Sequence, residues 1–328
     1  MQRLVFFGSD EIALPALEHI VSRFGSEVEL VAVFSQPDRP SGRGQLLHSN
    51  AVVAWARARG VAVFQPEKLD VSTPALLREE LRCDLGLVMA YGHILKSELL
   101  AVPALGFYNL HASLLPKFRG AAPIEGAIAS VEAQSGVCLQ RIVQRLDAGP
   151  LAGAEPVPLA LDETRAGLRQ RIAQACVPLL DRILPGILDG SVQCVPQDEA
   201  RVSFTRKITR EDSALDFHAT AREIAARVRA LVPWPGASFS FAGLTLKIGA
   251  AQAEAAEGIA GYTPGCVLSA DEAGLCLATG SGVLRVLLLQ RPSGKMLPAG
   301  AFLRGFPMPV GTVLESVPMR PLARASVV

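Results

Sequence analysis

Across its first 190 residues the chain alternates short apolar runs with stretches of helical periodicity, and this alternation constrains the fold more than any other feature. Residues 3–7, 28–35, 62–64, 83–90 and 107–110 read as strands. Residues 11–24 and 50–59 read as helices between them, and 164–188 as a long helix that closes the unit. Repeated strand–helix–strand units cannot pair as tight hairpins. They need crossovers, which give an α/β fold with a doubly wound, mostly parallel, Rossmann-like sheet. Open sheets of this kind bind ligands at the carboxyl ends of their strands.

The pattern changes beyond residue 188. Asp189-Gly190-Ser191 and Pro196 interrupt the helix, and after a helix over 219–231 come short strands near 237–241, 244–248, 266–268, 274–278 and 283–289. Short strands with glycine turns fit a small β-barrel. The expected domains are 1–189, a linker over 190–205, a barrel over 206–314 and a tail over 315–328 with no clear role. Residues 201–314 carry 12 Lys and Arg against 8 Asp and Glu, whereas residues 1–200 carry 18 against 22. A modestly basic second domain suits a phosphate-bearing partner, and equally suits ordinary solvated charge.

Composition excludes other classes. No apolar run approaches the roughly 18 residues of a membrane span, and the first residues lack the pattern of a signal peptide. The six cysteines (Cys83, Cys138, Cys176, Cys194, Cys266 and Cys276) are scattered without a Cys-x-x-Cys pair, so reduced thiols in the cytoplasm and no metal are expected. Gly8-Ser9-Asp10 follows the first strand but lacks the Gly-x-Gly-x-x-Gly spacing of a dinucleotide site.

The chemistry concentrates in Asn109-Leu110-His111 at the end of the 107–110 strand, with Asp147 downstream. Residues two apart on a strand share a face, so Asn109 and His111 point the same way. An amide can donate to a developing oxyanion, an imidazole can exchange a proton near neutral pH, and a carboxylate can orient the imidazole. The same residues also have plain structural readings. A His after a strand is often only a satisfied polar group, an Asn there often turns the chain, and Asp147 before Ala148-Gly149 suits a turn. Spacing alone leaves these alternatives open.

The surrounding sequence narrows them. Asn109-Leu110-His111-Ala112-Ser113-Leu114-Leu115-Pro116-Lys117-Phe118-Arg119-Gly120-Ala121-Ala122-Pro123-Ile124 resembles the signature of formyltransferases that use 10-formyltetrahydrofolate. Leu146-Asp147-Ala148-Gly149 resembles their second signature, with Ala148 where Thr is common. Gln36-Pro37-Asp38-Arg39-Pro40-Ser41-Gly42-Arg43-Gly44, Phe64-Gln65-Pro66-Glu67-Lys68-Leu69, Ala90-Tyr91-Gly92 and Pro233-Trp234-Pro235-Gly236-Ala237 resemble the branch that formylates methionyl-tRNA. The similarity runs from about residue 4 to about residue 314.

The resemblance implies a formyltransferase domain followed by an OB-like barrel that helps hold tRNA. It implies direct attack by the amine of methionyl initiator tRNA, with Asn109 at the oxyanion and His111, oriented by Asp147, moving the proton. It places the folate near Met89, Ala90, Tyr91 and Gly92, with Ser113, Leu114, Leu115 and Pro116 beside the reactive centre. It assigns tRNA contacts to Arg39, Arg43 and Lys207, and it implies a monomer. Two departures stand out: Asp10 where relatives often have Pro, and Gln45-Leu46 where two lysines are common. An amino-sugar formyltransferase and a formyltetrahydrofolate hydrolase are the rival activities. A tRNA-binding module with a decayed site is a third, disfavoured by the intact trio.

Overall fold

The computed structural model describes residues 1–41, 46–255 and 261–325. A seven-stranded sheet organises the first domain, in the order β10-β9-β7-β6-β1-β2-β5. Its strands are β1 (Gln2–Gly8), β2 (Val28–Phe34), β5 (Ala62–Phe64), β6 (Leu85–Met89), β7 (Phe107–His111), β9 (Gln134–Arg141) and β10 (Leu151–Pro158). The first five are mutually parallel, whereas β9 runs antiparallel to β7 and β10 antiparallel to β9.

Side-chain alternation on β1 shows why both faces must be covered. Leu4 and Phe6 enter one core with Val33, Leu85, Leu87 and Met89; Val5 and Phe7 enter the other with Ala32, Phe34 and Val88. The helices Leu14–Arg23 and Arg165–Leu188 close the first core through Leu17, Ile20, Leu168, Ile172 and Leu179. Their starts are fixed locally. Asp10 accepts from the Ile12 amide in the 3-10 turn Glu11–Ala13 ahead of the first helix, and Thr164 accepts from the Gly167 amide at the start of the long one. Asn50 caps Ala51–Ala58 by accepting from Val52 and Val53.

The 36–44 stretch holds strand β3 (Arg39–Ser41), paired antiparallel with β4 (Leu46–His48). Pro40 is tolerated because the ribbon has only two strands and both are edges. Arg43, with Gly42, Gly44 and Gln45, lies outside the described residues.

In the second domain, five strands form an antiparallel sheet ordered β12-β13-β16-β15-β14: β12 (Ala237–Phe241), β13 (Leu244–Glu254), β14 (Val267–Asp271), β15 (Gly274–Ala278) and β16 (Val283–Gln290). A sixth strand, β17 (Leu297–Pro298), pairs with β16. β13 is longer than the expected 244–248. Register shifts between Ile248 and Ala251 bend it, so one strand serves two parts of the sheet. The helix Ala221–Leu231 opens on a reciprocal capping box between Thr220 and Glu223 and buries Ile224, Ala225 and Val228 against the sheet. Its far end, Ala230 and Leu231, belongs to the core of the first domain. Trp234, just beyond it, is half-exposed and does not pack as a core residue.

The connection between the domains is paired along its length. Val195 exchanges two backbone hydrogen bonds with Leu151 (2.8 and 2.9 Å). Strand β11 (Ser203–Thr205) then runs parallel to β8 (Arg119–Gly120) and antiparallel to β18 (Ala323–Ala325), which belongs to the 315–328 stretch. Leu322 is buried in the first core.

Candidate active site

A cavity of about 670 Å³ opens at the carboxyl ends of β1, β6 and β7. Met89, Ala90, Tyr91 and Gly92 line one side, and Asn109, His111, Gln140 and Asp147 the other. The Asn109 carboxamide has no hydrogen-bond partner among the described residues. It is the free amide of the site.

His111 is held from behind. Ser113 Oγ donates to the Lys117 carbonyl (2.7 Å), which uses its only hydrogen, so its contact with His111 Nδ1 (3.0 Å) must be an acceptance. The proton therefore sits on Nδ1, and Nε2 of the neutral ring carries a lone pair. Nε2 is buried, makes no hydrogen bond, and lies 3.3 Å from Asp147 Oδ2. Two acceptors at that distance invite a proton between them.

Asp147 has φ +47°, in the left-handed region, so its turn must be held by its surroundings. The Gly120 amide donates to Oδ2 (2.7 Å) and Gln140 Nε2 to Oδ1 (3.1 Å). Burial acts to raise the pKa of this carboxyl, but His111, Gly120 and Gln140 outweigh it and hold it below the usual carboxylate range. Asp147 is an anion at neutral pH. The rim of the cavity is charged: Arg165 pairs with Glu125 (2.7 Å), and Arg169 pairs with Asp10.

The structure separates residues that the signature runs together. Ser113 is fully buried behind His111, and Leu114, Leu115 and Pro116 line a different cavity of about 170 Å³ with Lys117, Phe118 and Ser135. The cause is local: after His111 the chain turns under β9, where the Leu115 amide donates to Cys138 Sγ (3.3 Å). These four residues back the reactive centre and do not line the main cavity. Arg119 is wholly buried and does not line it either. Arg39 is exposed and pairs with Glu67 (3.1 Å), and Lys207 is exposed just after β11; neither reaches the cavity.

Sequence reasoning missed Gln140 and Gln197. Gln140 lies next to the end of strand β9, which the alternation pattern did not reveal. Gln197 lies in the interdomain connection, and its partners are 48 to 78 residues away in sequence. No local signal marks it. Among the described residues no group of three or more His, Cys, Asp or Glu is placed to hold a metal, and no helix is long and apolar enough to cross a membrane.

Two family models define the class of protein: a formyl transferase model matches residues 2–184, and a formyl transferase C-terminal domain model matches 207–307. A methionyl-tRNA formyltransferase of Pseudomonas putida is 39% identical over 295 residues, covering 90% of this chain and 93% of its own. That of Delftia acidovorans is 38% identical over 321 residues, covering 95% and 97%. The chain belongs to the methionyl-tRNA formyltransferase family. Its fold also matches a solved N-formyltransferase from Helicobacter canadensis in complex with folinic acid and dTDP-3-aminofucose (TM-score 0.65, 19% identity, 87% of this chain and 99% of that one).

Proposed function

We propose that the chain transfers the formyl group of 10-formyltetrahydrofolate to the α-amine of methionyl initiator tRNA, using Asn109, His111 and Asp147. One observation carries this reading. A free carboxamide, an unpartnered imidazole nitrogen and a carboxylate converge on a single cavity at the sheet's carboxyl edge.

The roles follow from atom types. Asn109 donates toward the formyl oxygen as it gains negative charge, an interaction worth about 10²–10³ in rate. A bond forms between the amine nitrogen and the formyl carbon. His111 Nε2 takes the proton that the new ammonium must lose and returns it to the departing N10 as the old carbon–nitrogen bond breaks. Asp147 stabilises the transient imidazolium, and Ser113 keeps the ring in the Nδ1–H tautomer. No nucleophile on the protein is required. Burial pushes the Cys83 and Cys176 thiols up to about 12 and Cys138 up to about 11, so none of the three is a thiolate at neutral pH.

The cavity suits the donor. Backbone groups of Met89, Ala90, Tyr91 and Gly92 can read a pterin edge while Ile12, Leu95 and Ile142 cover its faces. The buried Tyr91 hydroxyl and His93 Nε2, without partners in the structure, are polar groups that a bound molecule or water can satisfy. The tRNA is assigned to Arg39, Arg43 and Lys207 outside the cavity, and the enzyme to the cytoplasm, where initiator tRNA is charged.

The test offers 10-formyltetrahydrofolate with methionyl initiator tRNA, methionyl elongator tRNA and an amino-sugar nucleotide in parallel. Rapid formylation of the initiator alone is the expected result. Transfer only to the sugar would keep the trio and reject the acceptor. Formate release with no acceptor preference would replace transfer by hydrolysis.

A further inference from the structure

We propose that Gln197, in the connection between the two domains, is a positioning residue that holds the Asp147 turn against His111, so that this connection is a working part of the catalytic site. The inference rests on the role assigned above to Asp147.

The carboxamide of Gln197 is saturated on both sides. Nε2 donates to the carbonyls of Asp147 (2.8 Å) and Gly149 (2.7 Å), with a longer contact to Gln140 Oε1 (3.4 Å). Oε1 accepts from Arg119 Nε (3.1 Å) and Nη2 (2.8 Å). The orientation of the amide is unambiguous, because a guanidinium has only donors and a carbonyl only acceptors. Arg119 is itself fully buried and is balanced by Glu199, two residues beyond Gln197, which also pairs with Arg145 in the turn.

The turn needs such a hold. Asp147 is left-handed without being glycine, and Gly149 is packed so closely that an added Cβ would lie 1.6 Å from the Arg141 carbonyl. Gly120 and Gln140 fix the Asp147 carboxylate, but among the described side chains only Gln197 grips the backbone on both sides of the bend. Val195, paired with Leu151 just after the turn, carries the same segment alongside. A displacement of about 1 Å in a catalytic group can cost on the order of 100-fold in rate. The charged or titratable group facing the Asp147 carboxylate among the described residues is His111 on β7; Arg119 on β8 reaches the turn through Gln197, and Glu199 pairs with Arg119 and with Arg145.

The test compares the full chain with Q197A and Q197E. Q197A removes both donations to the turn and the acceptance from Arg119. Q197E keeps an acceptor for Arg119 but replaces the two donations by a carboxylate oxygen set against the Asp147 and Gly149 carbonyls. Both variants are expected to lose about 10- to 100-fold in kcat, with KM for 10-formyltetrahydrofolate within about twofold; Q197A, which takes an acceptor from the buried Arg119, should also melt lower than Q197E. In Q197A the Asp147 carboxyl, followed by 13C labelling and assigned against D147N, should titrate at higher pH than in the parent, because the contacts that depress it loosen. Parental kcat in either variant, or an unshifted Asp147 titration in Q197A, overturns the proposal. A loss in Q197A alone would place the effect on Arg119. If the parent formylates none of the acceptors, the functional reading fails, yet the titration still decides the role of Gln197.

Discussion

Asp147 and Asp212 are both interior carboxylates with depressed pKa values, and the contrast between them separates the proposed catalytic pair from a structural one. Asp212, wholly buried, accepts from Arg206 through both guanidinium nitrogens and from the Thr209 amide (2.7 Å), with Arg227 at 3.7 Å. Burial works to raise its pKa, but the two arginines and the amide win and bring it to about 2. Its partners are permanently charged guanidinium groups, a backbone amide and the Thr209 hydroxyl (3.3 Å), none of which exchanges a proton at physiological pH. Asp147 instead has an imidazole as a partner, and among the described residues that ring's Nε2 is left without a hydrogen bond. Asp212 is satisfied; the imidazole nitrogen facing Asp147 is not.

The largest expected effect tests the unsatisfied side. His111→Ala and Asp147→Asn should lower kcat by about 10³-fold or more, as loss of a general base and of its orienting anion does, and leave folate binding nearly intact. Asn109→Ala should cost about 10²–10³-fold. Single-turnover formylation with a binding titration of the folate measures both terms. Loss of folding in the His111 and Asp147 variants would erase the contrast, because those residues would then be structural too.

The satisfied side should show the inverse behaviour. Asp212→Asn leaves two interior guanidinium groups without their anion and should destabilise the chain by about 3 kcal/mol, while the folded fraction keeps its kcat. Thermal and urea unfolding read the first, and active-site-normalised turnover the second. A loss of turnover at full stability would make Asp212 a functional residue and break the comparison. Its pH dependence has a fixed sign. The folded pKa of about 2 lies below the usual 3.8, so the carboxylate's contribution is complete above about pH 4 and falls away as pH drops toward 2. The stability gap between parent and Asp212→Asn should therefore narrow by about 1 kcal/mol between pH 6 and pH 3.

The legibility of these two regions in the sequence was unequal for a physical reason. The alternation of apolar runs disclosed the parallel strands and their helices, since burial on both faces leaves a periodic mark. It did not disclose β9 and β10, whose Gly136, Gly153 and Pro156 dilute the pattern. Strand parity placed Asn109 and His111 on one face, and the structure has both lining the cavity with Asp147. The resemblance set Ser113, Leu114, Leu115 and Pro116 beside the reactive centre, and a turn under β9 puts them behind His111, outside the main cavity. Contacts that close across long separations, such as Gln197 to Asp147 or Arg227 to the Arg320 carbonyl (3.0 Å), leave no periodicity to read.

A third kind of charge completes the comparison and carries the smallest predicted effect. Arg39 stands outside both clusters, two-thirds exposed, against an equally exposed Glu67 at 3.1 Å. Such a surface pair is worth at most about 1 kcal/mol, so Arg39→Ala should leave the melting temperature and kcat at their parental values. If Arg39 meets a phosphate of the acceptor, the same change should raise KM for methionyl-tRNA a few-fold and reduce the slope of log affinity against log salt by about 0.9. A minimal amine acceptor should be unaffected, since Arg39 does not reach the cavity. An unchanged salt slope with tRNA would leave Arg39 a solvated charge. An equal loss with both acceptors would tie it to the chemistry, and the division into titrating, satisfied and peripheral charges would have to be redrawn.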